Sequence, residues 1–353
     1  MKKTIFYGLP GEGLGHAIRT ISILEKLNPE IEVHVFTWGE AYEFFKNENY
    51  KNLHKIADLP FGRDKNGCIS VRKTFCNFLK FTKNYKKSFN EIKRLAAELK
   101  PDLIISDFEP ILPRVGRKLK IPYISIDNQH KFSRCYADDV SLKLKFYCWV
   151  MGVYTELLVP NPDKAVVSTF YHTAIKKLSH KTVLTNCFMR KLLEETEPKD
   201  DNFILVYYKI SSGDKLLHEL KKISDIYKIK VYGCPKDRRN FADDFEYHDI
   251  KNEEFIKDLA NCSYLFCSSG NQLLGEAVFY GKPIFTVPEV NQAEQFINAH
   301  YIEKLGFGVH CNLWEISLEK IKEFISSYKQ RSVESINGTN DAINIINHYL
   351  GEK

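Results

Sequence analysis

Residues 264–308 restrict the fold of this chain more than any other segment does. Their sequence is YLFCSSGNQLLGEAVFYGKPIFTVPEVNQAEQFINAHYIEKLGFG. The apolar run 264–267 predicts a buried strand, residues 268–270 predict a tight loop, and a helix capped by Asn271 is expected up to the stop signal at 281–283. This order directs backbone N–H groups and the positive end of a helix dipole at one point. Such a junction suits a phosphate or diphosphate.

Polar side chains downstream of this junction fit the rest of a nucleotide sugar. Glu276 lies just over one turn into the predicted helix, where a carboxylate can accept hydrogen bonds from the two hydroxyls of a ribose. A second helix is expected from about Asn291, with Gln292, Gln295 and Asn298 three residues apart along one side. A side-chain amide both donates and accepts hydrogen bonds, and sugar hydroxyls need partners of both kinds. The alternative is that the junction has only a structural role, since every doubly wound domain has strand–glycine–helix junctions. For Asn298 taken alone, we expect a position on the surface of the helix.

The N-terminus repeats this pattern. Residues 3–9 read as a buried strand, GEGLGH at 11–16 as a glycine-rich turn, and residues 17–27 as a helix. The glycines do not fall in the G-x-G-x-x-G spacing, which argues against NAD. His16 is the candidate general base, because imidazole has a pKa near 6.5 and the helix N-terminus disfavours its protonated form. The alternative is a histidine that only caps the helix or contacts phosphate.

Two further polar clusters follow apolar strands. The first strand, DLIIS, leads into SDFEP, and the second leads into IDNQH. Because the carboxyl ends of parallel strands meet at one crevice, we expect these side chains to orient His16, bind the acceptor or supply the base. An N-cap or turn role is equally compatible with each one. The residues concerned are Asp107, Glu109, Asp127, Asn128 and His130.

These motifs resemble the GT-B glycosyltransferases. The segment SSGNQLLGEA, then GKP, then P-x-x-NQAEQ is similar to the donor half-site of the family 28 type, which includes the peptidoglycan N-acetylglucosaminyltransferase. GEGLGH, SDFEP and DNQH resemble a less characterised GT-B subgroup. The resemblance implies two Rossmann-like parallel-sheet domains facing a cleft, with the acceptor on the first and the donor on the second.

The resemblance also implies roles for individual residues. The catalytic candidates are His16, Asp107 and Asp127. The donor would be held by Ser268, Ser269, Gly270, Asn271, Glu276, Gln292 and Gln295. On the acceptor side the candidates are Gly13, Gly15, Glu109, Asn128 and His130. No cofactor and no metal are expected beyond the nucleotide-sugar co-substrate, with UDP inferred by analogy, and the chain contains no D-x-D triplet.

Length and composition indicate two domains. With 353 residues, 44% of them apolar, the chain can bury a core in each domain. We expect an acceptor-side domain at 1–190, an acidic linker at 191–201, a nucleotide-sugar domain at 202–332, and a C-terminal helix at 333–353 that returns to the first domain. Neither a membrane span nor a signal peptide is visible, so the protein is expected to be cytoplasmic.

The net charge of +6 is unevenly placed. Nine basic residues fall between Arg72 and Lys100, together with apolar residues at helical spacing. One interpretation is an amphipathic helix with a solvated lysine face. The other is a basic surface that rests on anionic lipid headgroups at the inner face of the plasma membrane. A nucleic-acid partner is not expected, because no recognised motif accompanies the charge.

Together these features predict an inverting, metal-independent glycosyltransferase. It would move a sugar from a UDP-linked donor to a glycan or lipid-linked acceptor in envelope or surface polysaccharide synthesis. Two alternatives stay open. One is a non-hydrolysing UDP-sugar 2-epimerase, which shares the fold, and the other is a non-catalytic subunit that only binds a nucleotide sugar.

Overall fold

The protein is represented by a computed structural model that describes residues 2–58, 71–209, 212–250, 252–334 and 337–351, with no side-chain description for 71–83 and 252. These residues divide into two compact units. The first unit contains residues 2–58, 71–190 and 337–351. The second contains the described residues between 191 and 334.

A parallel sheet of seven strands forms the described core of the first unit. The strands are β1 (Thr4–Gly8), β2 (Glu32–Thr37), β3 (Leu53–Lys55), β4 (Leu103–Ser106), β5 (Tyr123–Asp127), β6 (Lys164–Ser168) and β7 (Thr182–Thr185). They lie in the order β3-β2-β1-β4-β5-β6-β7, so the direction of winding reverses between β1 and β4. Gly8 lies opposite Ser106 in this pair, and in α/β sheets ligands bind beyond the strand ends at such a reversal.

The second unit contains a parallel sheet of six strands in its described residues. They are β8 (Phe203–Tyr207), β9 (Lys228–Tyr232), β10 (Phe245–His248), β11 (Tyr264–Cys267), β12 (Ile284–Thr286) and β13 (Gly308–His310). Their order is β10-β9-β8-β11-β12-β13, with the reversal between β8 and β11. The predicted class of two Rossmann-like parallel sheets is confirmed.

The helices lie between successive strands, except the last two, which follow β13. In chain order they are α1 (Gly15–Leu24), α2 (Gly39–Asn47), α3 (Val71–Leu99), α4 (Ile111–Leu119), α5 (His130–Arg134), α6 (Leu142–Leu158), α7 (Lys191–Glu195), α8 (Gly213–Leu220), α9 (Asn252–Asn261), α10 (Asn271–Phe279), α11 (Ala293–Lys304), α12 (Leu318–Ser327) and α13 (Thr339–Leu350). None of the helices in the described part of the chain combines the length and the apolar composition that a transmembrane span requires.

The strands of the first sheet are apolar on both faces because both faces are covered. In β1, Ile5 and Tyr7 point to a core shared with α1, α2 and α13. Phe6 points the other way, into a core shared with α3 and α4. This two-sided burial explains why the strand reads as a continuous apolar run and not as an alternating pattern.

The C-terminal helix α13 belongs to the first unit. Thr339, Ala342, Ile346 and Leu350 are buried at helical spacing, and the apolar ones join the core of α1. The backbone N–H of Met189 donates to Thr339 Oγ1 at 3.0 Å, which ties the start of α13 to the end of the first unit.

Several local predictions need correction. The N-cap of α10 is Gly270, and Asn271 is its first residue. Helix α11 begins at Ala293, because Asn291 has a left-handed φ of 67° that a helix cannot continue from. The predicted linker at 191–201 is partly helical, since its first five residues form α7 with Leu193 buried.

The basic stretch between Arg72 and Lys100 lies on α3. The side chains of Arg72, Lys73, Lys80 and Lys83 lie outside the described residues. From residue 84 onward the helix is amphipathic, with Ile92 and Ala96 buried in the core and Lys86, Lys87 and Arg94 exposed.

Replacing Ile346 with alanine should destabilise the first unit by about 2–5 kcal/mol, because it leaves a cavity where α13 meets the core. Asn344→Ala, exposed on the same helix, should change the unfolding free energy by less than about 0.5 kcal/mol. Both values come from guanidinium unfolding followed by circular dichroism. Equal effects of the two variants would contradict the packing of α13 against this core.

Candidate functional site

The loop between β1 and α1 needs glycine for two different reasons. A Cβ on Gly11 would lie 2.1 Å from the carbonyl oxygen of Trp38, so no side chain fits there. Gly13 has a φ of 73°, in the left-handed region. Gly15 is the first residue of α1, which places His16 in the first helical turn beside the strand reversal.

His16, Asp107 and Arg19 form a hydrogen-bonded group. His16 Nδ1 lies 3.0 Å from Asp107 Oδ1, and Asp107 follows directly after β4. Arg19 holds the same carboxylate with two bonds, from Nε to Oδ2 at 3.0 Å and from Nη2 to Oδ1 at 2.6 Å. Two predicted residues are therefore brought together from 91 positions apart, and a third residue was missed.

Arg19 is buried, with only 3% of its surface exposed. Burial by itself lowers the pKa of a guanidinium, but the charge of Asp107 and its hydrogen bonds outweigh burial and raise the pKa of Arg19. The sequence signal that could have identified Arg19 is its position three residues after His16, which places both residues on the same face of the helix. Without a known partner, an arginine at that spacing cannot be told from a surface residue.

The ring of His16 faces both a donor and an acceptor. Arg19 Nη2 lies 2.8 Å from His16 Nδ1, the atom that also approaches Asp107. A guanidinium only donates, so Arg19 can hydrogen-bond to Nδ1 only when that atom carries no proton. With the proton on Nδ1, the ring donates to Asp107, the Arg19 contact is not a hydrogen bond, and Nε2 keeps a lone pair. This tautomer is the one that a general base requires. The side chain of His16 is 18% exposed, whereas Asp107 is completely buried.

Asp127 and His130 form a second pair that is fully buried. Asp127 Oδ2 lies 2.6 Å from His130 Nδ1, its Oδ1 accepts from the His130 backbone N–H at 2.9 Å, and Ser125 Oγ donates to Oδ2. Burial opposes ionisation, but the charge of His130 and these bonds outweigh it and lower the pKa of Asp127 to about 2. His130 Nε2 lies 3.2 Å from the carbonyl oxygen of Val159. Asp127 ends β5 and accepts from the first backbone N–H of α5, and this enclosed geometry does not fit the catalytic role expected for it.

Glu109 is also buried, at the start of α4. Its two carboxylate oxygens accept from the backbone N–H groups of Ile111 at 2.7 Å and Leu112 at 2.8 Å. Burial raises its pKa to about 7, against the effect of these bonds. Its side chain is inaccessible to an acceptor, as is that of His130, and Asn128 is also buried. Of the two clusters, Asp107 is the residue that reaches the His16 group.

The donor half-site begins where β11 ends. Residues 268–270 form the loop, and Gly270 is half-buried. A Cβ added to Gly270 would meet no atom within 4 Å, so the loop has open space beside it. Helix α10 then starts at Asn271. The first N–H groups of a helix have no carbonyl partner within that helix, and its dipole is positive there.

Ser269 is held by the protein on all sides. Its backbone N–H donates to Gln295 Oε1 at 3.2 Å, and its carbonyl oxygen accepts from Asn298 Nδ2 at 2.9 Å. Its Oγ lies 2.7 Å from Thr286 Oγ1. Ser269 thus fixes the shape of the loop, and its N–H and hydroxyl are already engaged. The expected surface position of Asn298 is wrong, because the residue is fully buried beneath this loop.

The amide row contains two kinds of residue, with Gln292 immediately before α11 and Gln295 within it. Gln295 is buried; its Oε1 accepts from Ser269 and from the Glu289 N–H at 2.9 Å, and its Nε2 donates to Gln292 Oε1 at 3.0 Å. Gln292 is only half-buried, and its Nε2 donates to Glu289 Oε2 at 2.9 Å. Gln295 therefore supports the loop, while Gln292 lies closer to solvent. Glu289 was missed by sequence reasoning.

Glu276 lies on α10, one turn after Gln272. The side chain is 2% exposed, and its Oε1 accepts from Gln272 Nε2 at 3.1 Å. A carboxylate held in this way has a defined orientation close to the loop. Its role as a ribose ligand stays a prediction.

Comparison with known proteins agrees with this arrangement. Residues 3–328 match the model of a family described as glycosyl transferase family 1. An uncharacterised glycosyltransferase of Methanosarcina acetivorans is 23% identical over 368 residues, covering 94% of this chain and 92% of that protein. One from Methanosarcina mazei is 23% identical over 372 residues, covering 97% of each.

Solved structures resemble the whole chain. The glycosyltransferase VinC in complex with DTDP has a TM-score of 0.63 at 11% identity, covering 99% of each chain. Acinetobacter baumannii MurG has a TM-score of 0.61 at 14% identity, covering 98% of this chain and 99% of that one. At these identities the likeness concerns the fold.

The fold and these relatives define a glycosyltransferase of the GT-B class, as the sequence motifs predict. The chain belongs to glycosyl transferase family 1. The MurG structure supports the expected likeness to family 28 at the level of the fold, while the finer likeness and membership of the GEGLGH subgroup stay predictions.

The contacts of Gln295 generate a stability prediction. Gln295→Ala should lower the unfolding free energy by about 1–3 kcal/mol, because it leaves the buried N–H groups of Ser269 and Glu289 without their acceptor. Gln292→Ala, the same change three residues earlier, should cost less than about 1 kcal/mol, since Glu289 is half-buried and the buried Gln295 Nε2 still has Glu289 Oε1 at 3.3 Å. Denaturant titration of both variants tests the difference. If Gln292→Ala were the more damaging change, the supporting role of Gln295 would be wrong.

Proposed function

We propose that this protein transfers a sugar from a nucleoside diphosphate sugar to an acceptor hydroxyl. The transfer inverts the configuration at the anomeric carbon and uses no metal ion. The donor is UDP-linked, and the acceptor is a glycan or lipid-linked glycan of an envelope or surface polysaccharide. The single observation that carries the proposal is the contact of His16 with Asp107, which Arg19 clamps. It supplies an oriented base at the head of α1.

In this mechanism His16 Nε2 takes the proton of the acceptor hydroxyl as its oxygen attacks the anomeric carbon. The bond from that carbon to the diphosphate oxygen breaks on the opposite face, so the configuration inverts and the nucleoside diphosphate leaves. Asp107 accepts from Nδ1 and stabilises the imidazolium that forms, while Arg19 fixes the carboxylate in place with two hydrogen bonds.

The donor would lie against the loop 268–270 and the start of α10. Because Ser269 is engaged by Gln295, Asn298 and Thr286, we assign the diphosphate contacts to Ser268, Gly270 and Asn271. The helix dipole offsets the negative charge that develops on the leaving group. Glu276 accepts from the ribose hydroxyls, and Gln292 reaches the sugar. VinC, which has a related fold, was solved in complex with DTDP, and this supports a pyrimidine nucleoside diphosphate as the nucleotide part of the donor.

We place the protein at the inner face of the cytoplasmic membrane. The exposed Lys86, Lys87 and Arg94 of α3 support an electrostatic attraction to anionic headgroups, at roughly 1 kcal/mol for each basic residue near the surface. This location brings the enzyme to a lipid-linked acceptor.

Donor binding tests the core of the proposal. Thermal-shift and calorimetric titration with UDP, GDP, dTDP and their sugars should show binding of UDP and of a UDP-sugar. Glu276→Gln should weaken UDP binding by about tenfold or more, because the ribose hydroxyls lose a charged acceptor while the side chain keeps its shape. Glu323→Gln, exposed on α12, is the control and should bind normally. Absence of binding to the whole panel refutes a nucleotide-sugar enzyme.

Loss of the base tests the mechanism. His16→Ala should lower kcat roughly 100-fold or more with little change in the donor KM, measured as nucleoside diphosphate released in the presence of an extract containing acceptors. His180→Ala, an exposed histidine just before β7, should leave kcat unchanged. Retention of most activity in His16→Ala would move the base to another residue.

Arg19 is predicted to act by positioning. Arg19→Gln should lower kcat by at least about tenfold at an unchanged donor KM, because Asp107 loses the clamp that orients it towards His16. Arg19→Lys keeps the charge and should recover part of this loss. A purely structural role predicts instead a lower melting temperature with kcat per folded molecule unaltered.

A further inference from the structure

One face of helix α6 exposes a row of large apolar side chains. Its members are spaced as residues on one side of a helix, and Leu142 is 83% exposed and Trp149 64% exposed. We call this row the α6 stripe; it consists of Leu142, Phe146, Trp149, Val150, Val153 and Leu157. Phe146 and Trp149 lie against each other, with ring centroids 5.9 Å apart.

The opposite face of α6 is covered by the protein. Cys148, Gly152 and Thr155 are buried there, and a Cβ on Gly152 would lie 2.9 Å from the carbonyl oxygen of Phe132. The helix is thus apolar on both sides, although one side faces solvent. Singly exposed apolar residues are ordinary, but a continuous row of this length marks a contact with a partner or a membrane.

Basic side chains surround the C-terminal end of the stripe. Arg114 of α4 donates to the carbonyl oxygens of Leu158 at 2.7 Å and Leu157 at 2.9 Å, which places α4 directly beside α6. Helix α4 contains no acidic residue. Its exposed side borders a shallow cavity of about 480 Å³ between α3 and α4, lined by Tyr85, Phe89, Arg114, Arg117 and Lys118.

The charges along α6 itself are also mostly basic. Lys143 and Lys145 lie near its start, and its single acidic residue, Glu156, is paired with Arg134 at 3.1 Å. Asp138 and Asp139 precede the helix, where carboxylates favour its positive end. An apolar row with flanking cations is the arrangement of helices that lie in the interface of anionic bilayers.

We propose that the α6 stripe inserts into the interface of an anionic lipid bilayer, with the cations of α4 and the cavity beside them receiving the phosphates of lipid headgroups. A second copy of this chain fits less well, because a two-fold contact through the stripe would bring the same cations to both sides. The inference concerns a surface other than the basic face of α3, and it stands apart from the transfer chemistry.

The surface is connected to the His16 group within the same unit. Tyr154 of α6 packs edge-on against Phe108, with ring centroids 6.2 Å apart, and Phe108 directly follows Asp107. A bilayer in contact with α6 therefore lies close to the acceptor side. If the proposed function holds, this position favours an acceptor whose lipid part stays in the membrane.

Vesicle binding tests the proposal with the full chain. The wild type should sediment with vesicles of phosphatidylcholine and phosphatidylglycerol and bind phosphatidylcholine alone more weakly. The double variant Phe146→Ser, Trp149→Ser should bind the anionic vesicles at least about tenfold more weakly, since two large apolar side chains no longer enter the interface. Trp314→Ser, a control of similar exposure (66%) in the second unit, should bind as the wild type does.

Fluorescence locates the contact. In a Trp314→Phe background the remaining tryptophans are the buried Trp38 and the exposed Trp149. Anionic vesicles should shift the emission of Trp149 to shorter wavelengths, and brominated lipids should quench it.

Three results would overturn the proposal. They are equal vesicle binding by the double variant and the wild type, a Trp149 emission that vesicles leave unchanged, and loss of a dimer in the double variant on gel filtration with vesicle binding intact. Since UDP binding is measured separately, failure here is distinct from failure of the proposed transferase function.

Discussion

The reversal of strand order in each parallel sheet is the constraint on which the candidate sites depend. In the first unit, β1 and β4 are neighbours with their carboxyl ends aligned, so the loop after β1 and the residue after β4 meet. In the second unit, β8 and β11 stand in the same relation, and the loop 268–270 follows β11. Parallel strands place every such loop at one edge of the sheet, and the reversal leaves a gap there between diverging helices.

The buried carboxylates Asp107, Glu109 and Asp127 of the first unit each accept hydrogen bonds, because a buried carboxylate without a partner costs too much free energy. The Arg19–Asp107 pair shows the consequence for chemistry: a carboxylate in the core is held by two hydrogen bonds from a buried arginine and can orient a partly exposed histidine. The Asp127–His130 pair shows the opposite case. It has the same residue types as a catalytic pair, but both members are enclosed, so their bonds stabilise the start of α5.

In the loop that would face a diphosphate, some residues likewise support the structure while others are open to a ligand. Ser269 lies in the middle of the predicted binding motif, yet Gln295, Asn298 and Thr286 satisfy its polar groups from below. Gly270, the next residue, borders open space. A binding motif found in the sequence therefore contains two kinds of residue. Some touch the ligand, and others hold those residues in position.

Much of this could be predicted from the sequence because local patterns report local physics. Apolar runs, glycine turns and helix signals identified both Rossmann-like sheets, the loops at 11–16 and 268–270, and His16 and Asp107 as residues that could meet. The GT-B class was implied by the resemblance of these motifs to those of known glycosyltransferases. These properties are encoded over a few residues at a time.

Only the tertiary structure decided which polar residues are accessible and which partner each one has. Arg19, Glu289 and the burial of Asn298 were missed because burial and pairing depend on residues far away in the chain, such as Asp107 for Arg19. The same holds for the α6 stripe. Its sequence shows an apolar helix, but which face the protein covers depends on how α5 and α4 pack against it. Sequence patterns determined the elements and their chemistry, whereas packing assigned each side chain to the core, the site or the surface.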